Sequence, residues 1–155
     1  MVDRLLVERI LNDLNSFMSD LKKVENTSFD VFRSNTQLRR FIERTLHIAI
    51  EAAIDIAQHI IADEGWREAD SYRDTFKVLH EHGIISDELL TKLVKMAAFR
   101  NLLVHYYEKI DDTIVFGVLR KCPEDFNEFS RQIVAFLDPG TNQPTHKTNK
   151  TNKTN

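Results

Sequence analysis

This sequence predicts an all-α fold: an antiparallel bundle of roughly five to six helices in one domain over residues 1–138. Two observations carry that expectation. Of four Gly and three Pro, one Gly and two Pro lie from Pro139 onward, so the body of the chain is nearly free of helix breakers. Through that body, apolar residues recur every three to four positions, the period of an amphipathic helix. With 155 residues, 42% of them hydrophobic, the chain suits one globular domain with its own core.

The elements follow in order. Val2 to about Glu25 reads as a first helix on the stripe Leu6, Ile10, Leu14, Phe17 and Leu21. Asn26-Thr27-Ser28 interrupts it, and Ser28 is placed to cap the next helix. Phe29 to about Asp63 reads as a second, long helix with a kink near Ser34-Asn35. Gly65 to Ala69 is a connection in which Trp66 anchors the loop on the bundle. Asp70 or Ser71 caps a short third helix through about Glu81, closed at Gly83. Ser86, followed by Asp87 and Glu88, caps a fourth helix expected to run to about Lys109. Asp111 or Asp112 begins a fifth helix through about Lys121, and Pro123 fits the first turn of a separate sixth. Leu137-Asp138-Pro139-Gly140 stops it. The rest is a repeating Lys-Thr-Asn stretch, so 139–155 is expected to be a disordered tail.

Function is expected in the fourth helix, at Phe99-Arg100-Asn101-Leu102-Leu103-Val104-His105-Tyr106-Tyr107. Arg and His there sit among large apolar residues, a conflict typical of functional sites. On a helical wheel Phe99, Leu102, Leu103 and Tyr106 share one side. Arg100, Asn101, His105, Ala97 and Val104 share the other, with Leu90, Leu93 and Val94 one turn or more earlier. The first side is expected to face the core. The second is expected to be a homodimer interface that carries Arg100 and His105.

The spacing Arg100-Asn101-x-x-x-His105-x-Tyr107 resembles the signature of the HEPN domain, and the added tyrosine is similar to its HepT branch. Those proteins are toxin ribonucleases paired with a nucleotidyltransferase antitoxin, MntA. The likeness spans Met1 to about Leu137. It implies a metal-independent ribonuclease that works as a homodimer on RNA (tRNA or mRNA), with Arg100 and His105 catalytic. Asn101, four residues before His105 on the same face, is expected as an accessory group that orients the imidazole or binds a phosphate. The resemblance further implies that an MntA-like partner transfers AMP onto Tyr107. Because Tyr107 stands seven residues after Arg100, its phosphate is expected to be drawn to Arg100. A non-catalytic nucleotide-binding or partner-binding module is the alternative reading of the same residues.

The chemistry fits the residue types. Metal-free RNA cleavage needs a base for the 2′-hydroxyl, an acid for the 5′-oxygen and a cation for the phosphorane. Imidazole serves as base or acid near neutrality, and guanidinium binds phosphate oxygens. No cofactor is expected. Glu43, His47, Glu51, Asp55 and His59 recur every four residues along the second helix. They span roughly 24 Å at about 1.5 Å per residue, too far for one ion, so no metal site is expected. A polar face of that helix is the better reading. Arg39, Arg40 and Arg44 form the densest basic cluster and are candidates for steering RNA phosphate. The net charge of −3 argues against bulk, sequence-blind coating of nucleic acid, so RNA must be held by a local basic patch, and no DNA partner is expected. A single cysteine, Cys122, and no long uncharged apolar run suggest a cytoplasmic protein with no membrane partner.

Overall fold

A computed structural model describes residues 1–141, and the expected disorder of the Lys-Thr-Asn stretch from 142 onward lies outside those residues. Six α-helices make up the bundle: α1 (Arg4–Lys23), α2 (Phe29–Ser34), α3 (Thr36–Glu64), α4 (Tyr72–Glu81), α5 (Asp87–His105) and α6 (Asp112–Leu137). Short 3-10 turns occupy Tyr107–Lys109 and Pro139–Thr141.

α3 is the axis, since every other α-helix packs against it. Its buried stripe runs through Ile42, Leu46, Ala49, Ile50, Ala53, Ile56, Ala57 and Ile60, all fully buried. Small residues in that stripe let neighbouring helices come close. An 18-residue window of this helix reaches a mean hydropathy of 1.2, enough by length and composition to cross a membrane, although no such run was expected. However, 61% of the window is buried inside the bundle, where a core helix needs that composition.

Local chemistry sets the helix starts. Side-chain oxygens of Ser28, Asn35, Ser71, Ser86 and Asp111 accept from the backbone N–H of Val31, Leu38, Asp74, Leu89 and Thr113 at 2.9–3.2 Å. The expected kink at Ser34-Asn35 is a full break. Asn35 takes an extended backbone, φ −97° and ψ 98°, and caps α3. Gly65 ends α3 in the left-handed region at φ +67°, where a side chain would be strained. Trp66 then holds the connection: its ring stacks flat on His82 at 3.8 Å between centroids and leans on Phe136.

Two further boundaries differ from expectation. α6 is one continuous helix with Pro123 inside it, not two helices divided there. Proline in a helix interior costs ~3 kcal/mol or more. Val115, Leu119, Cys122, Phe126, Phe129 and Ile133 lie on one face at helical spacing and are buried. Each large side chain of that set contributes ~1.5–3 kcal/mol on burial, so packing outweighs the proline. The second difference is α5, which ends at His105 rather than near Lys109. Ile110 is packed against the core and Asp111 caps α6, so the chain must turn between His105 and Asp111.

Candidate active site on α5 and α3

α5 carries apolar residues on two sides, and that obscures which side is free. Leu89, Leu93, Met96, Ala97, Phe99 and Leu103 are buried in the chain's own core. Leu93 and Ala97 were expected at an interface, whereas Leu102 and Tyr106 were expected in the core and are exposed. Tyr106 has no helix to follow: it forms the C-terminal cap, its N–H donating to the Leu102 carbonyl at 3.0 Å. The free face of α5 is Thr91, Lys95, Ala98, Leu102 and His105, with only Ala98 partly covered.

Arg100 points the other way, between α3 and α4. Its guanidinium is 14% exposed and donates from Nη2 and Nε to Glu51 Oε1, at 2.9 and 3.2 Å. Its carbon lies 4.7 Å from the centre of the Tyr72 ring, a stacked cation–π contact. Nη1, at the other edge, donates to Asn101 Oδ1 at 3.3 Å. Asn101 in turn lines an open cleft of about 900 Å³ with Gln58, Trp66, Ser71 and Tyr72. Arg100 and Asn101 are thus brought together, while Asn101 orients toward Arg100 rather than His105.

His105 stands apart. It is exposed at the end of α5, and its ring makes no hydrogen bond among the described residues. One chain therefore presents one free imidazole on an uncovered face and one held guanidinium behind it.

The column of acids and histidines on α3 has a use that spacing does not reveal. Arg44 Nη1 donates to His47 Nδ1 at 3.3 Å, and His47 Nε2 donates to Glu51 Oε1 at 2.9 Å. Glu51 also receives Arg100, so a run of hydrogen bonds joins surface Arg44 to the motif. These contacts fix the His47 tautomer. Burial pushes the Glu51 carboxyl up, but the bonds from Arg100 and His47 outweigh it and hold the group below the ordinary carboxylate range. The four-residue interval is the sequence signal for His47 and Glu51, although by itself it reads as a polar face. Nothing in the sequence pairs Tyr72 with Arg100.

Tyr107 is not on the Arg100 line, because the helix has ended. It is 54% exposed and forms the wall of a depression of about 210 Å³ with Arg40, Glu43, Arg44, His47 and Leu103. Arg39, expected with Arg40 and Arg44 as an RNA cation, instead lies 3.9 Å from Glu43 and 3.7 Å from Asp112.

The family profile described as ribonuclease HepT-like matches residues 8–133. The chain belongs to that family. Membership makes it a ribonuclease of the kind found as the toxin of toxin–antitoxin pairs. A tRNA nuclease HepT of Aphanizomenon flos-aquae is 29% identical over 136 residues, 88% of this chain and 92% of the relative. An mRNA nuclease HepT of Shewanella oneidensis is 30% identical over 122 residues, 77% of this chain and 92% of the relative. Among solved structures, the tri-AMPylated HEPN toxin of Shewanella oneidensis in complex with MNT antitoxin superposes with a TM-score of 0.77 at 28% identity. The match covers 87% of this HepT-like chain and 99% of that one.

Proposed function

We propose that the chain is a metal-independent RNA endonuclease that acts as a homodimer, with residues 1–138 as the working unit. The observation that carries the reading is the position of His105: exposed and unpartnered on the free face of α5, beside Ala98 and Leu102. A two-fold contact through that face places two imidazoles in one cleft, each with an Arg100 behind it. One imidazole takes the proton of the 2′-hydroxyl as that oxygen attacks phosphorus. The other protonates the 5′-oxygen as its bond to phosphorus breaks. Arg100, held behind each imidazole by Glu51 and Tyr72, lends positive charge to the cleft as the phosphorane forms. The products are a 2′,3′-cyclic phosphate and a free 5′-hydroxyl.

Arg40 and Arg44 are the exposed cations best placed to guide RNA phosphate, since Arg39 is drawn toward Glu43 and Asp112. The two named relatives act on different RNAs, one on tRNA and one on mRNA, so the substrate class is RNA of either kind. We further propose that a cognate MntA-like nucleotidyltransferase restrains the chain by placing AMP on Tyr107, whose ring is open to a partner. The lone cysteine is buried and its thiol is pushed well up by that burial, which suits a cytoplasmic setting.

Purified chain incubated with tRNA and mRNA in excess EDTA tests the reading. Cleavage that persists and leaves a 2′,3′-cyclic phosphate is expected. Cleavage abolished by the chelator, or 3′-hydroxyl ends, would overturn it. Sedimentation of the same sample is expected to give a dimer.

A further inference from the structure

The turn after α5 brings Tyr107 against α3 instead of along it. The depression it closes combines three kinds of group: a phenol, two exposed guanidiniums and a partly buried carboxylate. Leu103, buried, gives it an apolar side. His47 is held at its edge by Arg44 and Glu51.

Glu43 is the unusual member. Its Oε2 is buried and has no hydrogen-bond partner of normal geometry. A buried acceptor left unsatisfied is costly and calls for an explanation. Burial pushes the Glu43 carboxyl above its ordinary range, and the nearby Tyr107 phenol and the charge of Arg39 only partly oppose this. The carboxylate is thus more basic than usual and lies next to a phenol. A phenol becomes a useful nucleophile when a base takes its proton, and cations stabilise phosphate charge as it is transferred.

We propose that this depression is a nucleotide-acceptor site built into the chain: Glu43 takes the phenolic proton of Tyr107, while Arg40 and Arg44 hold the phosphate that arrives. This rests on the reading that Tyr107 receives AMP. In the step, the phenol O–H breaks and its proton passes to the Glu43 carboxylate. The phenol oxygen bonds to the α-phosphorus of a nucleoside triphosphate supplied by the partner. The bond to pyrophosphate breaks, and pyrophosphate leaves with the electron pair. The product is a phosphodiester with one negative charge next to Arg40 and Arg44.

Arg100 does not take that phosphate, contrary to the expectation from spacing. Its Nε and Nη2 are engaged by Glu51, and its face lies on Tyr72. The attached phosphate instead occupies the cations that otherwise guide RNA, so the modification competes with substrate for Arg40 and Arg44.

The charged and titratable groups around Glu43 are Arg39, Arg40, Arg44 and His47 on α3, Tyr107 on the turn and Asp112 on α6. With Glu43 as the base, loss of its carboxylate leaves the phenol to ionise unaided. The test mixes full-length chain, its nucleotidyltransferase and ATP, and follows AMP addition by intact mass between about pH 6 and 9. Wild type, Glu43→Gln, Glu43→Asp and Arg40→Ala/Arg44→Ala are compared. Wild type is expected to be modified at a rate nearly flat across that range. Glu43→Gln is expected to be slower by about a hundredfold at neutral pH, with a rate that climbs as pH rises. Glu43→Asp is expected to fall between them and to keep the flat profile. The double arginine variant is expected to be slower and, once modified, to lose AMP faster to a phosphodiesterase. Equal rates and profiles for wild type and Glu43→Gln would overturn the proposal. A wild-type chain that gains no AMP, or gains it away from Tyr107, would overturn the reading beneath it instead.

Discussion

Glu51 on α3 receives two hydrogen bonds from Arg100 on α5, both to the same carboxylate oxygen, at 2.9 and 3.2 Å. That pair fixes the motif arginine from outside the motif. Replacement by Glu51→Ala leaves a mostly buried guanidinium without its anion, and a charged partner lost at such a site costs ~1–3 kcal/mol. We expect Glu51→Ala to lower RNA cleavage by about tenfold through a mis-set Arg100 while leaving the protein folded. Cleavage rates and thermal melting of the same preparation check this; an unchanged rate would remove Glu51 from the site.

The same carboxylate gives a signature in pH. Its folded-state pKa is lowered, so its contribution to stability is present above the unfolded value, near 4.3. That contribution is lost as pH falls through the lower, folded value. Urea midpoints of wild type and Glu51→Gln are expected to differ at neutral pH and to converge below about pH 4. A gap that widens in acid would show the sign to be wrong.

His105→Ala and Arg100→Ala should separate two roles. Each is expected to lower cleavage by at least about a hundredfold. His105 is exposed and without a partner, so His105→Ala should melt as wild type does. Arg100 holds Glu51 and stacks on Tyr72, so Arg100→Ala should melt lower. Identical melting of both variants would contradict this division.

The free face of α5 can be closed by one side chain. Ala98→Arg puts a long charged group where a second helix would approach. Sedimentation should show a monomer, and cleavage should fall with the dimer fraction. A monomer that still cuts RNA at the wild-type rate would rule out a composite site.

Pro123 offers a test of the core. Pro123→Ala restores the N–H that can donate to the Leu119 carbonyl, against some loss of unfolded-state restriction. We expect a net gain of about 1–2 kcal/mol, read as a rise in Tm of about 5 °C. A lower Tm would mean that α6 needs its proline.

Most of the fold is legible in the residues. The scarcity of Gly and Pro, and Ser28, Ser71, Ser86 and Asp111 as caps, place the helices because those effects are local. Pro123 misleads because the face from Val115 to Ile133 is tertiary and overrides a local penalty. α5 misleads differently. When a helix is apolar on two sides, spacing cannot say which side its own chain covers, so the expected places of Leu102 and Ala97 are exchanged. Within the site, Arg100, Asn101 and His105 stand out by type and interval. Glu51 shows in the sequence as one member of a polar column; its bond to Arg100 crosses 49 positions and exists only once α3 and α5 pack. Spacing alone puts Tyr107 along the helix, and the turn at His105 moves it to Arg40 and Glu43.

The run from Arg44 through His47 and Glu51 to Arg100 has a consequence for how this chain can evolve. The residues that line the Tyr107 depression and those that set the motif arginine are neighbours on one helix, joined bond to bond. If AMP on Tyr107 restrains the chain, a lineage that altered Arg44 or His47 to escape it would also loosen Glu51, and with it the guanidinium of Arg100. Escape and potency would then be opposed: the variants easiest to free from restraint would be those least able to do harm. Such a link favours the inheritance of toxin and antitoxin as a matched pair.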